Sequence, residues 1–147
     1  MTIARASSAH ADVLAALHAA GFDAPWSVAE FGALLNQPGV GAWIASEGAE
    51  PAGFILVRAA ADEAEILTLA VEPAFRRRGF AARLVHEACG ILRDAGAVRL
   101  FLEVAADNTG AHALYQGCGF AEHGRRKDYY REGRDRPVDA VLMARAL

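Results

Sequence analysis

Cysteine is scarce in this chain. Only two occur in 147 residues, Cys89 and Cys118, too few for a disulfide framework, and neither stands in a CxxC or Cys/His spacing suited to zinc. The five histidines are scattered, with no HExxH pattern and no pair at helix-face spacing. No metal is expected. Long apolar runs are missing too: 54% of the residues are hydrophobic, but alanine supplies much of that, and no stretch nears the roughly 20 residues of a bilayer-spanning helix. The N-terminus, Met1-Thr2-Ile3-Ala4-Arg5, meets Ser7, Ser8, His10 and Asp12 before any signal-peptide core forms. A cytoplasmic protein without membrane association is expected. Neither sign of charge dominates, and a net charge of −3 argues against nonspecific nucleic-acid binding while leaving room for a basic peptide partner. With no repeat or low-complexity linker, and a length that suits one hydrophobic core, residues 1–147 read as a single domain.

What is present is an alternation of strand and helix signals. Thr2 to Arg5 reads as a strand, and Ser8 to Ala20 as a helix with Val13, Leu14 and Leu17 on one face, ending at Gly21. Ser27 and Glu30 form a capping box for a second helix to about Leu35. Val40–Ser46 and Ala52–Arg58 make a hairpin about Gly48, and Glu65–Val71 is the next strand, stopped by Pro73. A basic loop, Arg76-Arg77-Arg78-Gly79, then leads into a helix lined by Ala81, Leu84, Val85, Ala88 and Leu92 up to Gly96. Arg99–Val104 is a strand, Asn108–Gln116 a short helix, and Phe120–Tyr130 and Val138–Ala144 the closing strands, joined by a polar loop from Arg131 to Pro137. The class is mixed α/β.

Arg76-Arg77-Arg78-Gly79-Phe80-Ala81 fits R-x-x-G-x-A where a strand gives way to a helix. Unpaired amides at a helix start carry partial positive charge, the glycine permits close approach, and the arginines add fixed charge, which together suit a pyrophosphate. A solvated arginine run beside a glycine turn has the same appearance. Read alone, Glu103 in Leu100-Phe101-Leu102-Glu103-Val104 is a residue on the solvent side of an alternating strand. Tyr115 is equally a core tyrosine with a satisfied hydroxyl, and Asn108 an ordinary helix N-cap.

Taken together, Glu65-Ile66-Leu67-Thr68-Leu69-Ala70-Val71-Glu72-Pro73, the RRRGFA segment, Leu102-Glu103-Val104, Asn108 and Ala113-Leu114-Tyr115-Gln116-Gly117-Cys118-Gly119-Phe120 resemble the GNAT acetyltransferases over nearly the full chain. Pro25-Trp26-Ser27, Tyr129-Tyr130 and Asp139-Ala140-Val141-Leu142-Met143 are similar to the RimI-like branch, which acetylates the N-terminus of a small-subunit ribosomal protein. The resemblance implies a mostly antiparallel mixed sheet that splays between its fourth and fifth strands, flanked by helices. It implies acetyl-CoA as co-substrate, with Leu69, Ala70 and Val71 pairing the pantetheine amides, Arg76, Arg77, Arg78, Gly79, Phe80, Ala81 and Ala82 about the pyrophosphate, and Asn108 on the pantetheine arm. Glu103 would be the general base, strengthened by partly apolar surroundings, and Tyr115 the general acid facing the departing sulfur.

The implied acceptor is the N-terminal amine of a basic ribosomal protein. The other acceptors open to this family are a lysine side chain or a small amine, and a noncatalytic acyl-CoA-binding module is the reading outside enzymes. Glu47, Glu50, Asp62, Glu63 and Glu65 read equally as an acidic rim that attracts a basic peptide, if their loops border the cleft, and as solvated loop charge. Two departures from the RimI-like pattern, Ala105 in place of a basic residue and a longer Arg131–Pro137 loop, fall where the acceptor is expected.

Overall fold

A computed structural model describes residues 1–147. Seven strands form one sheet: β1 (Thr2–Ala6), β2 (Val40–Glu47), β3 (Glu50–Ala60), β4 (Glu63–Val71), β5 (Arg99–Ala105), β6 (Ala121–Tyr130) and β7 (Val138–Ala146). The spatial order is β1-β2-β3-β4-β5-β7-β6, antiparallel throughout except for the parallel β4–β5 pair. This is the splayed mixed sheet that the resemblance implied. A parallel pair needs a crossover, and α3 (Phe80–Asp94) supplies it.

The helices cover the two faces unequally. On one face α3 lays Phe80, Leu84, Val85, Ala88, Cys89 and Leu92 over the inward residues of β2 to β5 and β7, with α4 (Thr109–Gly117) adding Tyr115. The buried stripe starts at Phe80 rather than at the expected Ala81, because Phe80 packs edge-on against Phe75 at 5.5 Å. On the other face α1 (Ala11–Ala19) and α2 (Val28–Leu35) bury Leu14, Leu17 and Phe31 against Ala42, Phe54, Leu56 and Ala70. The capping box that starts α2 is formed: Ser27 Oγ accepts from Glu30 N at 3.1 Å and Glu30 Oε1 accepts from Ser27 N at 3.3 Å, a cap worth about 1 kcal/mol.

One irregularity was not legible from the chain. Against β3, Leu56 pairs with Thr68 and Val57 with Ile66, so Leu67 is an extra residue and β4 bulges there. Ile66 joins the core under α3, whereas Leu67 packs with the α1–α2 core and Thr68 bonds to His18 of α1. Two successive side chains therefore share one face, and β4 bends where its hydrogen bonds to β5 cease.

Candidate active site

Strands β4 and β5 are paired only at Glu63↔Arg99, Ala64↔Leu100 and Glu65↔Phe101. Beyond these, β4 runs on to Val71 along β3, and β5 runs on to Ala105 along β7. The edge Ile66–Val71 thus faces the edge Leu102–Ala105 with no strand between them. Backbone groups on such an edge need a partner from water or a ligand. Leu69, Ala70 and Val71 lie on it, although the Val71 carbonyl already accepts from Arg76 Nε at 3.2 Å.

Beside the mouth of this gap is the start of α3. Gly79, its N-cap, has φ +84, and a Cβ there would meet nothing within 4 Å. The glycine is needed for its backbone conformation, and the space above it is open. The first amide to find an acceptor is that of Arg83, bonded to Gly79 O at 3.1 Å; those of Arg77, Arg78, Gly79, Phe80, Ala81 and Ala82 make no hydrogen bond to protein. Six successive free donors at a helix start form an anion cradle. The three arginines do not act alike. Arg76 bonds Val71 and lies against Gly21, whereas Arg78 pairs with Glu47 and sits over the rings of Phe75 and Phe80 at 5.3 and 5.6 Å. Arg77, held at φ +61, is the one whose side chain has no protein partner. No group of three or more His, Cys, Asp or Glu is placed to hold a metal ion.

The pleat of β5 sorts the other side of the gap. Leu100, Leu102 and Val104 enter the core under α3, so Phe101, Glu103 and Ala105 turn to the opposite face, the one α1 and α2 cover. Glu103 is exposed and its Oε1 lies 3.1 Å from Arg126 Nε. Its surroundings are polar, not the partly apolar ones expected, because β6 brings a guanidinium to it. Arg126 in turn lies 5.3 Å from the Tyr129 ring, which stands edge-on to Tyr130 at 5.1 Å. Burial, and then the Glu103 carboxylate, push the Tyr130 phenol above its ordinary pKa. Arg134 covers Tyr130 at 5.4 Å and grips both Asp107 oxygens at 2.9 and 3.2 Å. The hydrogen bond from Arg134 holds the Asp107 carboxyl below its usual range.

Asp139 shapes this wall. Its Oδ1 accepts from Asp128 N at 3.0 Å where β6 bulges, with Arg126 opposite Ala140 and Tyr130 opposite Val138. Arg126, Asp107 and Arg134 were missed in the sequence. Tyr129-Tyr130 was the only local signal, since the ion pairs join residues far apart in the chain.

Tyr115 lies in the core under α3, 7% exposed, with Phe120 edge-on at 5.6 Å. Burial raises its phenol pKa strongly. Asn108 is the N-cap of α4, its Oδ1 accepting from Ala111 N at 3.2 Å, which leaves the amide nitrogen without a protein partner. Of the two readings of the acidic loops, the rim is not formed. Glu47 and Glu50 lie at one end of β3, and Asp62, Glu63 and Glu65 lie at the other, where β4 and β5 are still paired. Glu47 and Glu65 are also neutralised by Arg78 and Arg58.

A profile of the acetyltransferase (GNAT) family matches residues 11–120. The [ribosomal protein bS18]-alanine N-acetyltransferase of Salmonella typhimurium is 39% identical over 93 residues, which are 63% of this chain and 62% of that relative. The enzyme of the same name from Escherichia coli K12 is 33% identical over 122 residues, covering 82% of this chain and 80% of the relative. The crystal structure of the ribosomal-protein-S18-alanine N-acetyltransferase from Escherichia coli superposes with a TM-score of 0.91 at 28% identity, over 99% of this chain and 92% of that one. With a splayed sheet, a cradle of free amides and these relatives, the chain belongs to the GNAT family and is an acetyl-CoA-dependent N-acetyltransferase.

Proposed function

We propose that the chain transfers acetyl from acetyl-CoA to the N-terminal α-amine of a protein, a small-subunit ribosomal protein in the first instance. The observation that carries this is the gap between β4 and β5, which has free amides at its mouth and Glu103 on the opposite face of the sheet. Pyrophosphate on the amides of Arg77 to Ala82, and pantetheine along Leu69 to Val71 with Asn108 beside it, would bring the thioester into the gap. The amine would come from the α1–α2 face.

The amine nitrogen attacks the thioester carbonyl carbon, the C–S bond breaks, and no covalent enzyme intermediate forms. Glu103 receives the proton lost by the amine, directly or through water. An α-amine, with a pKa of about 7.7–8.0 against about 10.4 for lysine, offers far more free base near neutrality. The names of the relatives, [ribosomal protein bS18]-alanine N-acetyltransferases, favour a ribosomal-protein acceptor. Tyr115 faces the leaving sulfur. Its buried phenol is a weaker acid than an exposed one, so its service is a hydrogen bond to the charge developing on sulfur rather than full proton transfer.

Labelled acetyl-CoA offered with N-terminal peptides, lysine peptides and small amines tests the assignment. The highest kcat/KM is expected for a peptide N-terminus. Faster transfer to a lysine side chain or a small amine overturns the acceptor and leaves the acetyltransferase in place.

A further inference from the structure

His18 is the one histidine that is buried, at 2% exposure, at the C-terminal end of α1. Its ring is stacked by Phe22 at 4.1 Å and Trp26 at 5.0 Å, with Phe31 and Phe54 closing the box at 5.3 and 6.3 Å. Both nitrogens are engaged. The Trp26 backbone N–H donates to Nδ1 at 3.0 Å, and since an amide can only donate, the ring proton is on Nε2, which donates to Thr68 Oγ1 at 3.2 Å. Thr68 is the residue beside the β4 bulge, next to the open strand edge that begins the gap. One neutral tautomer therefore fastens the Phe22–Trp26 segment to β4, on the face of the sheet to which Glu103 turns.

We infer that His18 is a positioning residue for the acceptor amine: its neutral ring holds the Phe22–Trp26 segment against Thr68, and a proton on the ring undoes that hold. This rests on the reading in which the amine enters from the Glu103 face. The step is a simple one. Protonation at Nδ1 consumes the lone pair that accepts from Trp26, so two N–H groups point at each other and the segment loses its tie. The surroundings oppose that proton. Phe22, Trp26, Phe31, Phe54 and Thr68 bring no charge, and the Glu30 carboxylate on α2 is the only charged group that favours the imidazolium. Desolvation outweighs it and lowers the pKa of His18.

The test uses the whole protein as wild type, His18→Phe, which keeps a ring in the box, and Thr68→Val, which removes one hydroxyl at nearly constant volume. An imidazolium stacked on an indole quenches its emission. Tryptophan fluorescence of the wild type, from Trp26 and Trp43, is expected to fall with a midpoint below the ordinary histidine value of about 6.5, and His18→Phe to lack that transition. At pH 8 the KM for the acceptor peptide is expected to rise about 10-fold in His18→Phe and about 3- to 10-fold in Thr68→Val, the scale of one or two lost hydrogen bonds. The KM for acetyl-CoA should stay within about twofold, since those bonds lie outside its cradle.

A transition that persists in His18→Phe overturns the inference. So does a parallel rise of both KM values, which marks a merely structural role. If His18→Phe does not fold, the split between the two KM values in Thr68→Val decides. Wild-type turnover in Glu103→Gln would remove the base assignment, and the fluorescence arm would still decide the state of His18.

Discussion

Replacing Gly79 by valine separates what the glycine does for the fold from what it does for the ligand. At φ +84 an L-residue is in the left-handed region, which costs about 1–2 kcal/mol. A Cβ at this position meets no heavy atom within 4 Å, so the added carbon itself finds room, and the valine branch adds to the backbone cost. For a chain of this length the loss corresponds to a melting temperature lower by about 3–8 °C. The protein should therefore fold. Acetyl-CoA is affected differently, because the new branches stand in the open space over the six unpaired amides from Arg77 to Ala82. If they hold the pyrophosphate off only two amides, at about 1.5–3 kcal/mol for each bond to a charged group, affinity falls at least ~100-fold. Thermal unfolding and calorimetric titration with acetyl-CoA measure the two effects on one preparation. Gly79→Ala, without the β-branch, should melt above Gly79→Val and lose less affinity. A folded Gly79→Val protein that binds acetyl-CoA within about threefold of wild type would refute the cradle, since the remaining penalty would then be far below one such bond.

Glu103→Gln, which keeps the side-chain shape, is expected to lower turnover by about 10²–10⁴-fold with acetyl-CoA affinity unchanged; turnover near wild type from pH 6 to 9 assigns the proton elsewhere. Tyr115→Phe should lower kcat by about 10²–10³-fold, the scale of one lost donor to a developing anion, and leave the KM for acetyl-CoA unchanged, whereas equal changes in both would make Tyr115 a packing residue only. Because Glu47 and Glu65 are ion-paired and the acidic turns lie at opposite ends of β3, kcat/KM for a basic peptide should depend little more on ionic strength than that for a neutral one; a steep fall with salt restores an acidic attraction. For stability, the lowered pKa of His18 means that only the unfolded chain takes its proton just below pH 6.5. This contribution is complete above the unfolded value and is lost as pH falls towards the folded one, at up to about 1.4 kcal/mol per pH unit. Urea unfolding from pH 7.5 to 5 should show that slope in wild type and not in His18→Phe.

The elements of the fold were legible because their signals are local: Ser27 with Glu30 for α2, Gly48 for the hairpin, and Pro73 and Gly79 around the start of α3. Site roles for Glu103, Tyr115 and Asn108 were suggested only by the combined order of motifs, since each has an ordinary structural explanation, and Asn108 does serve as the N-cap. The acidic rim failed for a geometric reason. Two acidic turns that are neighbours along the chain are separated by the 11 residues of β3, about 36 Å of extended strand. The β4 bulge depends on register with β3, and the Glu103–Arg126 and Asp107–Arg134 pairs depend on which strands become neighbours. His18 left a faint signal, a histidine ending an apolar helix shortly before Phe22 and Trp26. Its role needed Thr68, 50 residues away.

Joined by only three residue pairs, β1 to β4 and β5 to β7 are two antiparallel leaves meeting at a short seam. A guest bonded along Leu69–Val71 would act as a strand without a covalent connection, and the sheet would be complete only while that guest is bound. The amides of the gap should then exchange with solvent faster than those of β3 beside it in the free protein, and slow on loading. The substrate arm would belong to the architecture it enters, and each catalytic turnover would unzip and rebuild one edge of the enzyme.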